Sequence, residues 1–188
     1  MKNKEKIWSL KIPINTSKLD RDTLEFMNLV EKKLGLIPNI LKANSINKKR
    51  FDAFNTFYRR LMQENNFLNK IEKELIAVVV SSINRCWYCC VSHTYTLGKL
   101  LKDKQKAKII LINYRNAGIS KKYLTMLDFV CKLTKSSYLI DDNDRNILRK
   151  AKFSEKQILE IIEVTAFFNM TNRIASGTNM VPNHEYYN

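Results

Sequence analysis

The stretch KIEKELIAVVVSSINRCWYCCVSHTYTLG, residues 70–98, decides how this chain is read. Ile71, Leu75, Val78, Val79 and Ser82 recur at helical spacing, so residues 69–82 are expected as a helix with one apolar face. Asn84 and Arg85 then read as a tight turn, and a second helix begins near Cys86. Within the twenty residues from Glu74 to His93 lie a carboxylate, two cysteines at CxxC spacing and one of the 2 histidines of the chain.

That spacing carries chemistry. Cys86 and Cys89 stand at i, i+3 in the opening turn of the second helix, and His93 follows Cys89 at i+4, so the three side chains share a face and can meet. A helix N-terminus favours thiolate over thiol, and CxxC pairs are among the settings that lower a cysteine pKa from about 8.5. An imidazole one turn away can take the thiol proton directly or through a water. Glu74 falls on the preceding antiparallel helix, where it can orient His93 or relay its proton. Nucleophile, second thiol, base and orienter are all present.

Around this segment the chain reads as one all-α domain. Its 188 residues, 45% of them apolar, suffice for one buried core, and 4 glycines and 3 prolines leave no room for long linkers. Helix signals recur throughout: Asp20 or Asp22 capping a helix that ends at Gly35, Pro38 opening a short one, and Ser45 preceding a longer one through about Gln63. Asp103 begins a helix ending near Gly118, and Ser120 caps another through Lys135. Residues 142–150 form a short helix, and Ser154 with Gln157 makes a capping box before a long C-terminal one. The domain is expected over residues 20–181. Residues 1–19, with Pro13, form an irregular arm lying across the domain or a neighbouring subunit, and residues 182–188 form a loose tail.

Composition excludes several classes. The longest apolar run, LIAVVV, is far short of the roughly 20 residues that span a bilayer, and MKNKEKIWSLKIPIN has no signal-peptide core, so a cytoplasmic location is expected. There a CxxC is catalytic or metal-binding rather than a structural staple. Zinc wants four ligands, and beyond the pair only Cys90, His93 and the distant Cys131 or His184 remain, so redox chemistry is the better reading. No glycine-rich loop and no haem, flavin or metal signature occurs, which leaves the disulfide itself as the redox centre and no bound cofactor. The net charge of +15 is spread along every segment, densest at LGKLLKDKQKAKII, without a nucleic-acid motif, so an acidic protein partner fits it better than nucleic acid. Cys90 points about 100° from Cys89 and reads as a small core residue, as does Cys131 beside Leu124 and Leu127. Trp87, Tyr88 and Tyr95 either wall a substrate pocket or serve packing, and His184 has no role.

Written as E-x11-C-x-x-C-x3-H, the residues Glu74, Cys86, Cys89 and His93 resemble the AhpD-like alkylhydroperoxidase branch of the carboxymuconolactone decarboxylase family, and most closely its peroxidase-related subgroup. LGLIPNIL at residues 34–41 and FFNMTNRIA at residues 167–175 extend the likeness. The resemblance implies an AhpD-like helical bundle and a hydroperoxide-reducing enzyme with Cys89 as peroxidatic thiol, Cys86 as resolving partner, His93 as base and Glu74 as the start of a proton relay. It further implies an external dithiol reductant such as a lipoyl-bearing protein, a peroxiredoxin as possible partner, and a homo-oligomer, trimer or hexamer. The chain departs from AhpD proper in carrying Tyr88 where a histidine precedes the second cysteine, and in the third thiol, Cys90. Two other readings stay open: a non-enzymatic CxxC redox switch or electron carrier, and a decarboxylase or isomerase of the same superfamily.

Overall fold

The computed structural model describes residues 6–14, 19–64 and 66–187, and among them it contains nine α-helices and no strand. Helix α1 (Arg21–Leu34) starts at Asp20, whose carboxylate accepts the Thr23 N–H, and stops at Gly35, which takes the left-handed conformation at φ 76°. Helix α2 (Asn39–Asn44) follows Pro38. Ser45 closes α2 rather than opening the next helix, because its hydroxyl donates to the Lys42 carbonyl at 2.8 Å. The cap of α3 (Lys48–Tyr58) is instead Asn47, which accepts the Arg50 N–H. The helix then widens into a π turn, Arg59–Gln63, where Glu64 N–H reaches back to the Arg59 carbonyl at 3.1 Å.

Helix α4 (Lys70–Ile83) opens on a capping box between Asn69 and Glu72. The sequence predicts one apolar face, but every residue from Glu72 to Ser81 is buried. The reason is position: α4 is the central helix, with α5 (Trp87–Leu101), α6 (Lys104–Asn113), α7 (Lys121–Lys135) and α9 (Glu155–Gly177) packed around it. Leu75, Ile76, Val78, Val79 and Val80 are each at most 1% exposed, and each such burial stabilises by about 1.5–3 kcal/mol. Helix α8 (Asp142–Lys150) packs against α7 and α9.

The α4–α5 turn is a Schellman closure. Arg85 N–H donates to the Ser82 carbonyl and Cys86 N–H to the Ser81 carbonyl, with Arg85 at φ 52°. A non-glycine residue there costs roughly 1–2 kcal/mol, and the turn is held by Asn84, whose side chain bonds to two asparagines of α9. The turn fixes where α5, and so the CxxC, begins.

The described parts of both terminal segments dock on the domain. Of the expected N-terminal arm, residues 1–5 and 15–18 lie outside the described residues. Ile7 and Trp8 are buried beside Cys86, Tyr88 and Cys89, and the arm pairs with the chain just after α9 through Ser9 N–H to the Thr178 carbonyl and Val181 N–H to the Ile7 carbonyl, each 2.9 Å. The C-terminal segment is no loose tail. Asn183, 2% exposed, accepts the Asn39 N–H at 2.8 Å and donates to the Ile37 carbonyl at 3.0 Å. An ion pair anchors the entry to α4: Lys73 Nζ lies 3.1 Å from Glu160 Oε1 on α9. Glu160 Oε2 accepts the Phe67 and Leu68 N–H groups at 2.8 and 2.6 Å. No helix among the described residues is long and apolar enough to cross a membrane.

Candidate active site

Cys86 is the N-cap of α5, and its Sγ accepts the Cys89 N–H at 3.4 Å. One helical turn then brings the two sulfurs to 2.7 Å; they are free thiols, adjacent and unbridged. At that distance they titrate as a unit. The hydrogen bond between the two sulfurs draws the Cys86 thiol down to about 7 against the opposing effect of burial, with the Cys89 N–H and the Ser176 side chain adding to the pull. Cys89 is pushed far up, first by its hydrogen bond with Cys86 and then by burial. The first ionisation therefore belongs to the pair, with the remaining proton held between the two sulfurs. Yet Cys86 is 0% exposed, and the sulfur that faces the adjoining cavity is Cys89.

Glu74 projects from α4 and meets His93 on α5, with Oε2 and Nδ1 2.8 Å apart and both side chains mostly buried. Because a carboxylate only accepts, Nδ1 is the nitrogen that donates to it, and Nε2 is the one left to exchange a proton. The ring stands edge-on to Phe168 at 4.6 Å, which locks its plane. A carboxylate joined to imidazole in this way can take up and return a proton without moving.

These groups line one cavity of about 270 Å³. Cys89, His93, Glu74 and Ser92 supply its reactive lining, while its walls are largely apolar: Phe26 and Val30 from α1, Phe54 and Tyr58 from α3, and Phe167 and Phe168 from α9. Tyr88 also lines the cavity, and its hydroxyl accepts the Ile40 N–H at 3.2 Å. Tyr186 from the C-terminal segment closes another part, with its ring 5.3 Å from that of Tyr95. Burial raises the Tyr58 and Tyr88 phenols and brings Tyr186 up to about 12, so all three stay neutral donors at neutral pH. Lys33 and Lys99 are the lysines of the lining.

The structure thus brings Glu74, Cys86, Cys89 and His93 together and places Tyr88 in the cavity wall. Trp87 is elsewhere: it is 51% exposed and donates its indole N–H to the Tyr187 hydroxyl at 3.0 Å, because one helical residue turns it about 100° from Tyr88. Cys90 is half-buried and outside the cavity, its thiol pushed up to about 11 by burial. Cys131 is half-buried on α7 rather than enclosed in the core. Asn172 and Ser176 on α9 bear on the Cys89 and Cys86 thiols, each lowering its pKa; the sequence does not single them out, although FFNMTNRIA runs through the first of them.

Residues 49–114 match the model of the carboxymuconolactone decarboxylase family. A peroxidase-related protein from Silicibacter sp. TM1040 is 41% identical over 100% of this chain and 97% of its own, with a TM-score of 0.94. A peroxidase-related protein with an alkylhydroperoxidase AhpD core, from Ralstonia eutropha JMP134, is 31% identical over 97% of this chain and 95% of its own, with a TM-score of 0.91. The chain belongs to the AhpD-like branch of the carboxymuconolactone decarboxylase family. The AhpD-like bundle is shared more widely: the debrominase Bmp8, in complex with 2,3,4-tribromopyrrole, has a TM-score of 0.80 at 16% identity over 97% of this chain and 96% of its own, a likeness of fold alone. No curated protein matches the sequence. Because one AhpD-like bundle carries differently named activities, the reaction has to be argued from the site.

Proposed function

We propose that this protein is a thiol-dependent, peroxidase-like oxidoreductase that reduces an organic hydroperoxide at the Cys86–Cys89 pair. The observation that carries the reading is the convergence on one apolar cavity of a sulfur, Cys89, and a carboxylate-bound imidazole, with a second sulfur 2.7 Å behind the first. His93 takes the Cys89 proton, backed by Glu74. The Cys89 thiolate attacks the terminal peroxide oxygen, the O–O bond breaks, and His93 returns the proton to the departing alkoxide, leaving an alcohol and a sulfenic acid on Cys89. Cys86 then attacks the Cys89 sulfur and expels water. The resulting disulfide is reopened by two electrons and two protons from an external dithiol, with lipoyl groups the favoured class.

The apolar lining suits an alkyl or aryl hydroperoxide rather than hydrogen peroxide. On this reading the chain needs no bound cofactor, works in the cytoplasm as a homo-oligomer, trimer or hexamer, and takes a dithiol or lipoyl-bearing protein as reductant, with a peroxiredoxin as a further partner. The test is multiple-turnover consumption of several hydroperoxides with a panel of dithiol reductants, including dihydrolipoamide. Turnover lost in Cys89→Ser supports the reading. Stoichiometric oxidation without turnover under every reductant would replace it with a redox switch, and activity that survives loss of both thiols would point to decarboxylase-type chemistry.

A further inference from the structure

The cavity has a buried end and an exposed end, and the two differ in charge. Cys89, Ser92 and Glu74 are each at most 7% exposed, whereas the exposed residues of the lining are Lys33, Leu34, Gln63 and Lys99. Helix α5 connects the two ends. Cys89, Ser92, His93, Thr96 and Lys99 recur on it at helical spacing and all line the cavity, so one stripe of α5 runs from the reactive sulfur to a lysine. From the helical rise, the Lys99 backbone stands about 15 Å along the axis from that of Cys89. Its ammonium leans back to 4.3 Å from the centre of the Tyr95 ring, one turn nearer to the sulfur. Helix α1 repeats the pattern, with Phe26 and Val30 against the cavity and Lys33 after them on the same face.

Two ammonium groups at the mouth of an apolar cavity call for an anion. Among the described residues neither Lys33 nor Lys99 has a carboxylate partner, and the one carboxylate of the lining, Glu74, lies at the buried end, bonded to His93 at 2.8 Å. Between the two ends the walls are apolar, with Val30, Phe54 and Phe167 among them. We propose that the cavity takes an amphipathic organic anion, with its carboxylate at the mouth beside Lys33 and Lys99, its apolar body along the α5 stripe and its far end at Cys89 and His93. The substrate class is then a medium-chain carboxylic acid that bears a hydroperoxide at the end remote from its carboxylate. The carboxylate stays ionised and takes no part in the bond changes at Cys89; the products are the corresponding hydroxy acid and water. Lys33 and Lys99 set specificity, and because both are exposed their pull is modest and screened by salt. That the far end is a hydroperoxide rests on the function proposed above; the anionic class does not.

The binding probes are ω-hydroxydecanoic acid, an expected product that cannot turn over, and its methyl ester, which keeps the body and removes the charge. Titration calorimetry should show the acid binding about tenfold more tightly than the ester, with each lysine supplying about threefold. The preference should shrink as salt is raised. It should disappear in Lys33→Ala/Lys99→Ala, whose fold circular dichroism checks; the single variant Lys99→Gln, which should lose part of it, keeps the test open if the double variant does not fold. Equal binding of acid and ester, binding of neither, or a preference unaltered in the folded variants overturns the proposal. Turnover of ω-hydroperoxydecanoic acid and its methyl ester, with dihydrolipoamide as reductant, separates this inference from the proposed activity. The preference should appear there in KM rather than kcat, because the lysines stand away from the reacting atoms. Acid-selective binding without hydroperoxide turnover removes the peroxidase and keeps the anion site, and turnover of acid and ester with equal KM does the reverse.

Discussion

Replacing Cys89 with alanine should return Cys86 to an ordinary thiol. The Cys86 pKa is lowered from 9.0 to about 7, and the largest cause is its hydrogen bond with the Cys89 sulfur, 2.7 Å away. Alanine removes that bond. It leaves the backbone N–H of residue 89, 3.4 Å away, and the Ser176 side chain, while burial still acts in the opposite direction. With the remaining donors and the nearby His93 set against burial, the pKa should rise back towards the ordinary thiol value of 9.0, by up to about two units. Each unit is a factor of ten in thiolate at a fixed pH below both values, so the loss at neutral pH is up to about hundredfold. Because Cys86 is closed to solvent, the titration is best followed without a reagent, by ultraviolet thiolate absorbance and by carbon NMR of labelled cysteine. The sign is unambiguous: the wild-type dithiol gives up its first proton as pH rises through about 7, and the variant keeps it to a higher pH, by up to about two units. A Cys86 midpoint still near 7 in Cys89→Ala would show that the helix cap alone sets the acidity, and the shared-proton account would be wrong.

The same geometry makes three further predictions. Mild peroxide should bridge Cys86 and Cys89, which are already in contact, and leave Cys131 on α7 reduced; peptide mapping that found Cys90 joined to Cys86 would reassign the pair. His93→Gln should slow reaction with hydroperoxide by about 10²–10⁴ near neutral pH, with the rate recovering in alkali, and Glu74→Gln should behave as a milder version; two unaltered pH–rate profiles would dismiss the proton relay. Lys73→Met strands the Glu160 carboxylate, 3% exposed, without its cation, so thermal or denaturant unfolding should show a loss of about 3–5 kcal/mol, and a change within error would mean that water reaches the pair.

What the sequence determines about this protein is what short-range physics controls. Asp20, Asn69 with Glu72, Ser120, and Ser154 with Gln157 cap helices through bonds to residues three positions on, so their marks stand in the sequence beside the structure they create. The meeting of Cys86, Cys89 and His93 is legible for the same reason, being the arithmetic of one helix face. Glu74 is nearly so, since a single tight turn folds its helix back onto theirs. Beyond that reach the sequence is silent. That α4 is buried all round depends on four helices closing over it, and a run such as LIAVVV looks the same whether one side is covered or both. Ser45 and Asn47 are equally good caps by composition, and only the path of the chain after α2 chose between them. The cavity walls come from α1, α3, α9 and the C-terminal segment, and the Asn84 side chain at the turn reaches Asn172 across 88 residues of sequence. Which sulfur faces the cavity and which is closed off follows from burial and from the walls that other helices supply. Those are distances in space between groups remote in sequence, and only the packed tertiary structure sets them.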